Sequence, residues 1–313
     1  VAIARASFAS ALMFLAGATV PLLGGVIMIF APAPLLTYAT GFPHALSRIS
    51  IAIAVATSLV ALSAGFAPAL GYLVIFGLGA VSMCFMLQRR LAFELIVFGV
   101  TMLLVAAGVV LALLWAGSFD ALAHLIRREL AGAMAWAEGF YKDLGVETAL
   151  TPESRAYILE TAKWLAPALS VMLVALMVLL NLAVFWRLTG KEQRVGYALF
   201  GDLARWSAPE WLVWPLLVSG FGWFIPIQWI ANVALDCFLC IMAVYLGQGF
   251  AIMAFYFRHL RMPALARGLI YFVTMAQPLL VGLTAIVGLF DLWFDFRRLK
   301  GPDAATRNVG NFL

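Results

Sequence analysis

The stretch LAFELIVFGVTMLLVAAGVVLALLW, residues 91–115, carries one charged side chain, Glu94, close to its start. About 20 apolar residues in helical conformation cross the hydrocarbon core of a bilayer. An unbroken run of this kind excludes a transmembrane β-barrel, whose strands alternate apolar and polar positions. The rest of the chain repeats the pattern. Of its 313 residues 65% are hydrophobic and 11% charged, under half of the ~25% charged fraction of a soluble globule, so lipid is the solvent for most of it. Further apolar runs cover Ser7–Val20, a stretch disturbed by Ala31-Pro32-Ala33-Pro34, Ser50–Ala64, Pro68–Leu87, Trp164–Trp186, Trp211–Phe224, Ile227–Phe257 and Gly268–Phe296. The run Ser7–Val20 has no polar mature domain behind it and reads as a retained segment, not a cleaved signal. The expected fold is all-α: a polytopic transmembrane helical bundle with eight or nine membrane segments plus an amphipathic surface helix. It forms a single integral-membrane domain over residues 1–300, followed by a polar tail, 301–313.

Charge placement orients the segments. No acidic residue precedes Glu94, and the basic ones before it are Arg5, Arg48, Arg89 and Arg90. The net charge of +5 sits in short clusters at the ends of apolar runs, the positive-inside pattern, and no nucleic-acid partner is expected. Residues 118–163 hold five basic against seven acidic side chains and are placed outside as an extracytoplasmic insertion. Ser118 is a candidate N-cap. Phe119, Leu122, Ile126, Leu130, Ala133, Ala137 and Phe140 follow at spacings of three and four, an amphipathic helix expected to lie flat on the membrane. Thr151-Pro152 starts the next helix. Residues 187–208 form a basic cytoplasmic connector, and Ser207-Ala208-Pro209-Glu210 has the form of a capping box. The last segment, broken at Gln277-Pro278, leaves two arrangements. A single kinked crossing puts Arg297, Arg298 and Lys300 outside, against the sign rule; a re-entrant pair puts them inside.

Few residues offer chemistry. There is no GxSxG, HExxH or Walker lysine loop, and His44, His124 and His259 are widely separated, so no catalytic residue, metal or cofactor is expected. Cys237 and Cys240 share a helical face and read as small apolar core residues. Asp236 is different: a carboxylate at mid-depth costs ~2.5–3.5 kcal/mol on insertion scales. Gln228 and Asn232 precede it at four-residue steps, Cys240 extends the row, and Gln248 lies close to the same stripe. Gln228, Asn232, Asp236 and Gln248 are therefore candidate ligand-binding residues, and interhelical hydrogen bonding is the competing role. Asp291, Asp295, Arg297 and Arg298 are candidates for a carboxylate–arginine lock at the membrane boundary. Trp206, Trp211, Trp214, Trp223 and Trp229 form either an interfacial belt or a pocket lining.

Three stretches, Arg205-Trp206-Ser207-Ala208-Pro209-Glu210-Trp211, Gly247-Gln248-Gly249-Phe250-Ala251 and Gly288 through Arg298, resemble the YybS-like family of bacterial inner-membrane proteins, a domain of unknown function. That family has been grouped with the S components of energy-coupling-factor transporters, which capture a vitamin or metal ion and dock onto a coupling protein driven by ATPases. The resemblance implies a multi-pass protein of the bacterial cytoplasmic membrane. It also implies a non-catalytic substrate-binding role, with Asn232, Gln248 and Asp291 as positions to test. S components dock through small residues at four-residue spacing on the first helix, a spacing that Ala2, Ala6 and Ser10 match. The partners implied are lipid, other membrane-protein subunits and a small-molecule ligand. The rival expectation is a structural or assembly subunit of a larger membrane complex.

Overall fold

A computed structural model describes residues 2–19, 23–40, 44–143, 145, 151–188 and 203–298. The polar tail, the centre of the connector 187–208 with Lys191 and Arg194, and the break at Val20-Pro21 lie outside the described residues. Among the described residues every regular element is helical, as lipid demands, because a helix satisfies its backbone groups within one segment. The chain divides into two compact units, Val1–Leu199 and Phe200–Leu313.

The first unit contains α1 (Ala2–Thr19), α2 (Leu23–Ile29), α3 (Pro32–Thr40), α4 (Ala45–Ala64), α5 (Phe66–Tyr72), α6 (Leu78–Gln88), α7 (Phe93–Ala116), α8 (Phe119–Asp143) and α9 (Pro152–Leu188). Helices α5 and α6 are joined by a π-helical turn, Leu73–Gly77. Pro32 and Pro34 lack the N–H groups that would continue α2 into α3, so carbonyls at the break need other donors. Asn181 Nδ2 on α9 donates to Ile29 O at 2.8 Å, and Ser10 Oγ donates to Ala31 O at 2.6 Å. Ser10 Oγ is also 2.6 Å from Tyr72 Oη, and Ser7 Oγ donates to Ala52 O at 2.9 Å. Small residues on α1 thus face the chain's own interior. Ala6 and Ser10 are buried while Ala2 is exposed, so the stripe Ala2, Ala6, Ser10 is not an open docking face. Its small side chains are used in packing α1 against α2, α3 and α4.

Five helices among the described residues are long and apolar enough to span: Ala45–Ala64, Phe66–Gln88, Phe93–Ala116, Glu153–Leu188 and Gln228–His259, or six with one bent pair. The expected eight or nine segments are corrected accordingly. The N-terminal runs fold as the shorter apolar helices Ala2–Gly17 and Gly24–Ala39. The run Trp211–Phe224 gives a ten-residue helix, about 15 Å at 1.5 Å per residue against a core of roughly 30 Å.

Ser118 and Thr151 cap as read: Ala121 N donates to Ser118 Oγ and Ser154 N to Thr151 Oγ1, both at 3.1 Å. Helix α8, however, does not lie alone on a lipid surface. Arg127 pairs with Glu160 at 2.9 Å and Glu138 with Arg155 at 2.8 Å; rising numbers on α8 meet falling numbers on α9, so the two run antiparallel as a hairpin. The partly covered positions of α8 include Leu122, Ile126, Leu130 and Met134, one face at four-residue spacing. The charged start of α9, before Trp164, extends beyond the apolar run and supplies the surface that lipid was expected to supply. A hydrogen bond from Lys163 at 2.6 Å, then the charges of Lys163 and Arg127, hold Glu160 below the usual carboxylate range. A depressed carboxylate stabilises the fold above its unfolded pKa, about 4.3, and that contribution is lost as pH falls through the lower folded value. Amide exchange over residues 119–143 should therefore be slower at neutral pH than below the carboxylate range; exchange indifferent to pH after correction for intrinsic rates would mean that the Glu160 ion pairs add nothing to the hairpin.

The second unit contains α10 (Val213–Gly222), α11 (Gln228–His259), α12 (Ala264–Ala276) and α13 (Pro278–Phe294). Helix α10 packs back along α11, with Leu216 against Tyr245 in a core shared with Ala208, Trp206 and Phe238. Helices α11 and α13 cross in close contact at two glycines: a Cβ on Gly249 would meet Thr284 O, and one on Gly288 would meet Tyr245 O. At Gln277 the chain bends by 105° between α12 and α13. Tyr256, near the end of α11, donates its hydroxyl to Phe296 O at 2.8 Å. The start of α12 and the end of α13 therefore lie at the same end of α11. A pair bent in this way is a broken span or a re-entrant loop, and the bond from Tyr256 gathers Arg258, Arg261 and Arg298 at one end.

Candidate functional site

Helix α11 positions the sequence candidates at two separate levels. Near its start, Gln228 Nε2 donates to Asn232 Oδ1 at 3.1 Å, the i to i+4 contact that the spacing anticipates. Asn232 Nδ2 is buried and has no hydrogen-bond partner. Asp236, one turn on, is half-buried, with Cys240 half-buried beyond it and Cys237 exposed. Among the described residues no three His, Cys, Asp or Glu side chains gather as a metal site.

Gln248 does not join this row. It is fully buried twelve residues along α11 from Asp236, roughly 18 Å by helical rise, and its amide is used at both ends. Gln248 Oε1 accepts the backbone N–H of Ala208 at 3.0 Å, and Nε2 donates to Asp291 Oδ2 at 3.1 Å. Asp291 Oδ2 also accepts from Arg297 Nη2 at 2.7 Å and Nε at 3.2 Å, while Oδ1 accepts the Phe296 N–H at 2.9 Å. Arg297 Nη1 then reaches Ala204 O and Trp206 O, both at 2.8 Å. Asp291 and Arg297 are each 4% exposed. Such a pair persists out of water because the remaining lone pairs and N–H groups are matched. It closes residues 204–208 over α11 and α13. Of the four lock candidates, the structure joins Asp291 to Arg297. Asp295 serves as the left-handed residue ending α13, and its carbonyl accepts the Arg298 N–H at 2.8 Å.

Sequence reasoning missed the backbone partners, Ala204, Trp206 and Ala208, because the connector carries no periodic signal. The only hint was Pro209, which prevents a helix from running through the segment. The capping box at Ser207–Glu210 does not form: the short turn Glu210–Leu212 has Pro209 at its N-cap position and no side-chain cap bond. Trp211, Trp214, Trp223 and Trp229 are 56–71% exposed, too open to line a closed pocket, whereas Trp206 packs into the core.

Long apolar helices, short polar connections and a buried, fully bonded ion pair define a multi-pass helical membrane protein. The chain matches, over residues 8–292, the family model described as predicted membrane protein, domain of unknown function 2232, and belongs to that family. No curated protein and no solved structure matches it.

Proposed function

We propose that this protein is a non-catalytic binding subunit of a membrane transport system, similar in role to an S component, and that it takes a small polar ligand on the row Gln228, Asn232 and Asp236. The observation that carries the reading is Asn232 Nδ2, a buried amide donor with no acceptor, one helical turn from a half-buried carboxylate. An unsatisfied buried donor costs ~1–3 kcal/mol, and a ligand acceptor would remove that cost. The lock at Gln248, Asp291 and Arg297 holds the scaffold and takes no part in capture. The reading assigns no catalysis and no cofactor, and it places the protein in the bacterial cytoplasmic membrane beside a separate coupling subunit.

A second reading, an assembly subunit of a larger membrane complex, is favoured by the hairpin of α8 and α9. Trp136, Phe140 and Tyr141 are exposed there, with Trp136 and Phe140 stacked at 5.7 Å. Gentle purification from the native membrane, with mass spectrometry of co-purified proteins and small molecules, separates the two. The binding subunit should arrive with a coupling protein, ATPases and a small molecule. Asn232→Leu and Asp236→Asn should each lower ligand occupancy about tenfold, the equivalent of one charged hydrogen bond, with the melting temperature of the ligand-free protein unchanged or raised. A stoichiometric complex lacking ATPases and any small molecule would sink the binding reading in favour of assembly.

A further inference from the structure

The end of the second unit where α11 turns into α12 has three features that neither the lock nor the polar row explains. From Cys237 to Phe290 the sequence holds no acidic residue, yet Arg258, His259, Arg261 and Arg267 fall within it. Arg258, His259 and Arg261 are exposed, and the bond from Tyr256 to Phe296 brings the exposed Arg298 to the same end.

The backbone is the second feature. Arg261 and Arg298 adopt left-handed conformations, φ 50° and 51°, which penalise any side chain and favour glycine after a helix. In the first unit α7 ends on a left-handed glycine, Gly117, and α4 on a glycine of positive φ, Gly65, whereas α6, which the sign rule runs toward the basic face, ends on Arg90 at φ 52°. Arginine thus occupies the left-handed position after α6 and α11, and glycine follows α4 and α7, where the charge rule places the outer face.

The third feature is the flank. Leu265, Leu269 and Phe272 project from one face of α12 and are 87%, 61% and 71% exposed. The N-terminus of α12 has no side-chain cap and adds partial positive charge at the same turn.

We propose that this turn binds the phosphodiester headgroup of an anionic phospholipid. Arg261 holds the phosphate oxygens through its guanidinium fork, Arg258 and Arg298 strengthen the positive field, and the acyl chains lie along Leu265, Leu269 and Phe272. A free phosphate would need only the guanidiniums; the adjoining apolar row fits an amphiphile.

The test uses the full chain, delipidated in neutral detergent and offered phosphatidylglycerol, phosphatidylcholine of the same chain length, or inorganic phosphate, read by native mass spectrometry and melting temperature. Phosphatidylglycerol should be retained at least severalfold over phosphatidylcholine, and Arg298→Gln should reduce that preference about fivefold, the worth of one arginine at an anionic surface. Arg261→Gly is the decisive variant. Glycine relieves the left-handed backbone, so without lipid the variant should melt no lower than the parent, while losing a similar share of the lipid preference. The proposal is overturned by equal retention of the two lipids or by phosphate protecting as well as phosphatidylglycerol. An Arg261→Gly variant that melts lower and keeps its lipid preference also overturns it.

Discussion

Replacing Arg297 by Met should destabilise the protein by about 3–5 kcal/mol, the range for removing one partner of a buried ion pair. The loss is large because the remaining groups have nowhere to turn. Asp291 keeps the Phe296 N–H and the Gln248 amide, but its charge stays in a low-dielectric interior without a counterion. Ala204 O and Trp206 O lose their shared donor in the same step. Asp291→Leu should cost a similar amount for the converse reason, an unpaired guanidinium. The double variant Asp291→Leu with Arg297→Met should recover only part of the loss. A salt bridge replaced by well-packed apolar groups is often neutral, but here the Phe296 N–H and Gln248 Nε2 lose the carboxylate that accepts them. Arg297→Lys should fall between, since one ammonium keeps the charge but lacks the fork that spans a carboxylate and two carbonyls. Equilibrium unfolding of the full chain in mixed micelles measures all four. A near-neutral Arg297→Met would mean that the segment 204–208 is not held by this bond.

Gly288→Val is the second large effect. The crossing of α11 and α13 brings the Tyr245 carbonyl and the Gly249 N–H against Gly288, so the obstruction is backbone that no rotamer change can move aside. Overpacking a core typically costs ~1–3 kcal/mol when side chains can shift; with only backbone to yield, the cost should reach or exceed the top of that range. The two helices must part, and the distance between Gln248 and Asp291 grows with them. Gly288→Val should therefore also weaken the lock, visible as non-additivity with Arg297→Met, since residues in one network couple by ~0.5–3 kcal/mol. Gly282 lies on the same helix with open space around its Cβ position, and Gly282→Ala is the control, expected to be neutral or slightly stabilising through helix propensity. Equal losses at the two glycines would remove close packing as the cause.

Both effects belong to a site that the sequence shows only in fragments. Asp291 and Arg297 were legible as a lock because a carboxylate and a guanidinium close together at the end of an apolar run have few other uses in lipid. Gln248 was assigned to the wrong neighbours for a geometric reason. Helical spacing reports which residues share a face, but not where along a long helix a second helix crosses. The stripe on α1 shows the same limit: small residues at four-residue steps permit close packing, but the sequence does not say whether the partner belongs to this chain or to another.

What the sequence by itself determined is the solvent and the secondary structure, because apolar runs of bilayer length have a single way to satisfy every backbone N–H and C=O, the helix. It also determined where the runs end, through prolines and clustered arginines. Only the tertiary structure decided that α8 stands against α9, that the last segment bends by 105° at Gln277, and that Gln248, Asp291 and Arg297 meet. Each of those depends on contacts between residues far apart along the chain, and in a polypeptide this uniformly apolar the composition of a run is nearly the same whichever neighbour it packs against.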